Sequence, residues 1–475
     1  MRNLSMLTDL YELTMMSGYL NENMENRIAV FDMFIRGQKG KQSYALMAGV
    51  EQLIDYIDNL HFSSDDIAYL KSLNIFDDSF LKRLETFKFT GDIDIAPEGS
   101  IVYPNVPLVK VKAPLFETQL IETALLNIIG HQMLVATKSH RICLQAKGDA
   151  VMEFGVRRAQ GPDAGIYGGR AAVIAGCSST SNVLCGQMFD IAVSGTHAHS
   201  WVMSFPDELS AFRAYAKTFP DNCLLLVDTY DTLKSGVPNA ITVFKELREK
   251  GYEPKGIRLD SGDLAYLSIE ARKMLDNAGF ENTLICASND LDEYLIRELK
   301  MQGAKIDLWG VGTKLINGAD IFSLGGVYKM SAMEDENGVL QPKMKISDNP
   351  EKITLPGEKE VYRLYDENGM VIADYICLAG ETIEKPLTIF DPDETWKRMT
   401  LNNFSYKKLS VPLYRDGKLV YDKPTLDEMI EYRKAEEKTF WPQYFRLHNP
   451  ERYKIDLSLP LWTLKNDIIN EHKAL

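Results

Sequence analysis

From about Val151 the hydrophobic positions repeat one unit: a short apolar run, a polar or glycine-bearing loop, then a stretch of helical period. The runs end at Phe154-Gly155-Val156-Arg157-Arg158, around Cys177-Ser178-Ser179, and at Gly195-Thr196-His197 after Ile191-Ala192-Val193. Further ends fall at Leu226-Val227-Asp228, Ile257-Arg258-Leu259-Asp260, Cys286-Ala287-Ser288-Asn289-Asp290 and Trp309-Gly310-Val311-Gly312-Thr313. Asp207–Thr218, Pro238–Lys250, Ala265–Ala278 and Asp292–Gln302 are the clearest helices between them. Strands alternating with helices pair in parallel through right-handed crossovers. Seven units, with Phe322–Met330 as an eighth strand, predict an α/β fold, an irregular (β/α) barrel of seven or eight parallel strands.

The flanks follow other periods. Helical spacing covers Asp9–Tyr19, Tyr44–Leu60, a helix capped by Ser63 through Leu70, and Asp78–Phe87, while Phe31, Met33 and Ile35 alternate in a strand over Ala29–Ile35. Gly91–Ala113 changes to period two, broken by prolines, as in a short antiparallel sheet. Glu117–Ala136 is a long, mostly apolar helix leading into Thr137-Lys138-Ser139-His140-Arg141 and reads as a bridge between domains. After Ser331 strands return, with Asn337-Gly338, Asn368-Gly369 and Asp416-Gly417 as tight hairpin turns, followed by a charged helix over Pro424–Trp441 and a final helix. The expected domains are residues 1–136, α+β with the bridging helix; residues 137–331, the catalytic barrel; and residues 332–475, hairpins and helices packing back on the N-terminal domain.

Composition narrows the function classes. A chain of 475 residues, 45% hydrophobic and 25% charged, has ample core for two or three domains. Asp9 and Glu12 stand where a secretion signal needs an apolar core, and charge-free windows such as Ala171–Phe189 carry Ser, Thr, Asn and Gln, so the expected setting is cytoplasmic with no membrane partner. Six scattered cysteines without a Cys-x-x-Cys spacing read as buried free thiols. A net charge of -14 argues against nucleic acid and requires any anionic ligand to be held by a local Arg and Lys cluster.

In a barrel of this kind chemistry sits at the carboxyl ends of the strands, where the polar clusters fall. Arg258 and Asp260 leave one strand on the same face, able to grip a carboxylate and to face developing positive charge, although a mutual salt bridge explains the pair equally well. Gly310-Val311-Gly312-Thr313-Lys314, with Ser288-Asn289-Asp290 one strand earlier, offers backbone N–H groups to a phosphate but lacks nucleotide P-loop spacing. Glu153-Phe154-Gly155-Val156-Arg157-Arg158 and Gly168-Gly169-Arg170 bring an aromatic ring toward three guanidinium groups. His197-x-His199 has the form of a zinc chelate, yet the remaining histidines lie outside the barrel strands, so no metal site is assigned.

Taken together, Thr8-Asp9-Leu10-Tyr11, Glu153 to Arg158, Gly195-Thr196-His197-Ala198-His199-Ser200, Val227-Asp228-Thr229-Tyr230, Arg258 to Asp263, Gly312-Thr313-Lys314, Gly325 to Lys329 and Leu447-His448-Asn449-Pro450 closely resemble the nicotinate phosphoribosyltransferase family over nearly the whole chain. The resemblance implies that nicotinate and 5-phosphoribosyl 1-diphosphate give nicotinate mononucleotide and diphosphate in NAD biosynthesis or salvage. It also implies ATP hydrolysis coupled through a phosphohistidine, Mg2+ on the diphosphate, and a homodimer with shared active sites. By resemblance His199 is the phosphorylated residue, while Asp260 is placed by its chemistry to face the positive charge that develops on the sugar. Tyr11 from the partner subunit, Phe154, Arg157, Thr196 and Arg258 hold nicotinate, while Asp290, Gly312 and Thr313 hold the phosphoribosyl substrate. Enzymes that use nicotinamide carry an Asp in the loop corresponding to Ser178-Ser179-Thr180-Ser181-Asn182. Its absence here favours a carboxylate substrate. A nicotinamide or quinolinate transferase is the nearest alternative, followed by a zinc hydrolase using His197 and His199, and then a non-catalytic scaffold.

Overall fold

The computed structural model describes residues 3–36, 44–319, 321, 323–348 and 352–473. The chain divides into two compact units, Val135–Phe322 in one and Met1–Leu134 with Ser323–Leu475 in the other. The division falls inside the helix Glu122–Ala146, which continues through the polar stretch expected to follow it. Thr137, Lys138, Ser139, His140 and Arg141 are all buried there, and Lys138 pairs with Glu293 at 2.7 Å.

The unit 135–322 holds a six-stranded sheet in the order Ser179–Thr180, Ala150–Glu153, Leu308–Val311, Leu284–Ser288, Gly256–Leu259, Leu224–Leu226. Every pairing in it is parallel. The strands are short apolar runs because helices follow them and both faces are covered. Those helices are Glu208–Thr218, Val237–Glu249, Leu264–Asn277 and Glu293–Met301, each within a few residues of its predicted span. Asp207, Asp263 and Asp292 start three of them by accepting an N–H of the first turn.

One predicted strand is much reduced. Ile191-Ala192-Val193 makes a single parallel bridge, Thr180 to Val193, and the chain then turns away at Ser194-Gly195. Three residues supply too few backbone groups to ladder on both sides. On the far side the imidazole of His197 accepts the Leu226 N–H at 3.2 Å, so among the described residues no ladder joins the 179–180 strand to the 224–226 strand.

The other unit is built on a seven-stranded antiparallel sheet in which Gly326–Glu334 pairs with Ile28–Ile35, and Ile28–Ile35 with Val109–Pro114. The run expected as an eighth parallel strand therefore belongs to this antiparallel sheet, while Phe322 lies outside the described residues. Side-chain fit explains the preference: Tyr328 stacks on Phe31 with centroids 4.7 Å apart, and Tyr328 and Met33 are buried. The three predicted turns all close hairpins, joining 326–334 to 340–342, 359–365 to 371–378, and 411–415 to 418–419. No described helix is long and apolar enough to cross a membrane.

Candidate active site

Two strand ends of the parallel sheet and the loop after the 191–193 bridge meet around Arg258. Its Nε donates to Ser288 Oγ at 2.9 Å, Nη1 to Thr196 Oγ1 at 3.0 Å and Nη2 to Asp260 Oδ1 at 2.9 Å. Residues 258 and 260 share a face of their strand, and Ser288 ends the neighbouring strand, so the parallel register delivers three of these groups. Thr196 arrives from the loop after the single bridge. Burial opposes the charge on Asp260, but the Ser288 hydroxyl and the Arg258 guanidinium outweigh it and hold the carboxyl below its usual range.

The two histidines have different environments. His197 is buried, its Nε2 accepting from Leu226 N–H and its Nδ1 lying 3.4 Å from the carbonyl of Ala198. Desolvation lowers its proton affinity to about 4. With both ring nitrogens engaged by backbone, His197 is a neutral core histidine, and the His-x-His chelate does not assemble. His199 is partly exposed, with Nδ1 3.1 Å from Thr229 Oγ1 and Nε2 3.7 Å from Asp260 Oδ2 and 4.0 Å from Asp228 Oδ1. Asp228 is buried; its Oδ2 accepts the Asp260 N–H and the Ser261 hydroxyl, both at 2.7 Å, while among the described residues Oδ1 has no hydrogen-bond partner.

Phe154 forms one wall, with the Arg258 guanidinium carbon 5.9 Å from its ring centroid. Gly310 makes room for it, since a Cβ there would lie 2.7 Å from the ring. Gly155 is equally constrained, because a Cβ would meet the Ile316 side chain at 2.6 Å. Beneath Phe154, Glu153 is fully buried, accepting the Gly155 N–H and, at 2.6 Å, the Thr180 hydroxyl. Burial pushes its carboxyl up, and the two hydrogen bonds pull only part of the way back. Arg157 and Arg158 are exposed on the one-turn segment Val156–Arg158, whereas Arg170 is buried in the helix Pro162–Ile174, its guanidinium 5.6 Å from the ring centre of Phe189. The three guanidinium groups read together in the sequence are thus two exposed and one buried. Asn289 and Asp290 are exposed in left-handed backbone, φ 85° and 42°, at the end of the 284–288 strand. Thr313 is exposed after Gly312, and Lys314 pairs with Asp292 at 2.7 Å.

Tyr11 belongs to the other unit. It is half exposed on the helix Leu10–Asn21, with Leu7, Leu10 and Met15 also exposed around it. Burial and the neighbouring Glu122 raise its phenol well above the ordinary value. Next to it Glu12 is fully buried and accepts from Thr8 and from the N–H and hydroxyl of Thr123, at 3.0 and 2.6 Å; desolvation raises its carboxyl to about 7.

Three family models cover most of the chain: the nicotinate phosphoribosyltransferase N-terminal domain over residues 6–130, the family proper over 150–369 and the C-terminal domain over 358–465. The nicotinate phosphoribosyltransferase of Bacillus subtilis is 45% identical over 99% of this chain and 96% of its own length. The chain belongs to the nicotinate phosphoribosyltransferase family. The human relative is 32% identical over 98% of this chain and 96% of its own length. A crystal structure of human nicotinic acid phosphoribosyltransferase matches with a TM-score of 0.85 at 30% identity, covering 97% of this chain and 99% of that one. The fold alone extends to a nicotinate-nucleotide pyrophosphorylase from Pyrococcus furiosus, at a TM-score of 0.70 and 23% identity over 92% and 95% of the two chains.

Within this family member the structure brings Thr196, His199, Arg258 and Asp260 into one cluster with Phe154 against it. It also adds Asp228, Thr229 and Glu153, which enter the sequence reading only within motifs, and turns Ser288, read there beside a phosphate loop, toward Arg258. Each stands at a strand's carboxyl end or one to three residues beyond, and that position is the signal by which they are found.

Proposed function

We propose that this protein joins nicotinate to 5-phosphoribosyl 1-diphosphate, giving nicotinate mononucleotide and diphosphate, and couples this to ATP hydrolysis through phosphorylation of His199. The observation that carries the reading is Arg258, braced by Thr196, Ser288 and Asp260, with His199 within 4 Å of Asp260 and Asp228. A braced guanidinium binds a carboxylate in two parallel bonds at little entropic cost, which suits nicotinate. Phe154 offers a face for the pyridine ring, with Arg157 beside its loop and Tyr11 supplied by a partner subunit. As the ring nitrogen attacks the anomeric carbon and diphosphate leaves, positive charge develops on the sugar, and the ionised Asp260 stabilises it. Asp290, Gly312 and Thr313 bind the phosphoribosyl group from the loops after the last two strands.

A divalent magnesium ion fits this oxygen set, because Asp228 Oδ1 is a buried carboxylate oxygen without a hydrogen-bond partner and Asp260 Oδ2 faces the same imidazole. When bound it would neutralise diphosphate charge. We read the six-stranded sheet, bridged at residues 191–197, as an irregular barrel, and the enzyme as a cytoplasmic homodimer whose exposed Tyr11 helix serves the neighbouring site.

Turnover of phosphoribosyl diphosphate with nicotinate, nicotinamide or quinolinate, each with and without ATP, tests this. We expect nicotinate alone to react, with ATP stimulation that disappears in His199→Ala. Turnover of nicotinamide would sink the substrate assignment, and stimulation surviving in His199→Ala would sink the role of His199.

A further inference from the structure

We infer that Glu153 is a positioning residue that fixes Phe154 for the pyridine ring through a directional pair of hydrogen bonds; the inference rests on the nicotinate reading above. Glu153 is fully buried, and among the described residues its carboxylate is served by neutral donors and not by a cation. One oxygen accepts the N–H of Gly155, the residue after Phe154, and the other accepts the hydroxyl of Thr180 on the adjacent strand. The Thr180 oxygen in turn accepts the Asn182 N–H at 3.0 Å while its own proton goes to Glu153 at 2.6 Å. The peptide groups on either side complete the brace: Phe154 N–H donates to Val311 at 2.8 Å, and Ser181 N–H to the Glu153 carbonyl at 2.9 Å.

The direction of these bonds explains why a carboxylate is used. Both donors point at the side chain, so two acceptors are needed. A glutamine fills the same space but presents one acceptor and one donor, leaving either the Thr180 hydroxyl or the Gly155 N–H without an acceptor in a buried place. Burying a carboxyl is costly, and here each of its oxygens is met by a donor. What it places is Phe154, whose ring lies against Gly310 with the Arg258 guanidinium carbon 5.9 Å from its centroid.

The test is steady-state kinetics of Glu153→Gln and Thr180→Val, with amide hydrogen exchange over residues 154–158 as a readout independent of activity. Misplacing one wall of a substrate sandwich by a lost hydrogen bond is expected to raise KM for nicotinate about tenfold in either variant, with KM for phosphoribosyl diphosphate and kcat changed less than about threefold. The double variant is expected to raise KM for nicotinate no more than the worse single one, because the Glu153–Thr180 bond is lost in each; Thr180→Val also removes the acceptor of the Asn182 N–H. Exchange at 154–158 rises about tenfold in both. A general structural role would lower kcat and thermal stability without singling out nicotinate. Should Glu153→Gln not fold, Thr180→Val alone decides, since it removes only one hydroxyl. Unchanged KM for nicotinate with unchanged exchange in folded Thr180→Val overturns the inference. If the wild type does not consume nicotinate, the proposed function fails instead, and the exchange measurement still decides whether Glu153 braces the loop.

Discussion

His197 and His199, with one residue between them, sit in opposite surroundings, one buried and one partly exposed. His197 enters the interior and gives Nε2 to a backbone N–H, so it stays neutral with its proton affinity lowered to about 4. An unfolded histidine binds its proton near pH 6.5. Above that pH neither state is protonated and the full stability is present; as pH falls from about 6.5 to 4 the unfolded chain gains a proton that the folded chain refuses, and stability is lost. At pH 4.5 this amounts to about 2 to 3 kcal/mol relative to pH 7. Thermal melts of wild type and His197→Gln at both pH values should show the wild type losing more; equal losses would mean that His197 is not the titrating group. Resemblance singles out His199 in the sequence, but Gly195-Thr196-His197-Ala198-His199 alone does not reveal which ring turns inward.

At the level of elements, the loop after the 150–153 strand is packed so tightly that small residues of its neighbours become necessary. Gly310 lies in a strand, where glycine normally costs stability, and its lack of a side chain is what admits the Phe154 ring. Gly310→Ala should therefore cost about 1 to 3 kcal/mol by overpacking and lower the melting temperature. In a Phe154→Ala background that cost should vanish, because the ring that collides is gone. A Gly310→Ala penalty of the same size in both backgrounds would place the strain elsewhere. Element type was legible here because short apolar runs followed by helical period announce parallel strands, and Asp207, Asp263 and Asp292 announce helix starts. The weak strand at 191–193 and the destination of 326–334 were not, since ladders depend on partners that periodicity does not name.

At the level of the whole molecule, the proposed sharing of sites between subunits makes a prediction that no single variant does. Tyr11→Ala and His199→Ala, each expected to lack ATP-stimulated turnover, should complement one another when mixed and refolded together. Half of randomly formed dimers are mixed and each restores one of two sites, so about a quarter of wild-type activity should return. No recovery, in mixtures shown by mass to contain both chains in one dimer, would mean that Tyr11 and His199 serve the same subunit's site. The sequence by itself determined the local elements, the hairpin turns, the strand ends that carry chemistry and the family, because period, caps and short motifs are written in neighbouring residues. Tertiary structure alone decided that residues 326–334 join the N-terminal strand, that Arg170 is buried away from Arg157, that Asp228 and Thr229 flank His199, and that a buried Glu153 holds the Phe154 loop. Those choices depend on register, burial and the direction of hydrogen bonds between residues far apart in the chain, and none of the three is encoded by spacing alone.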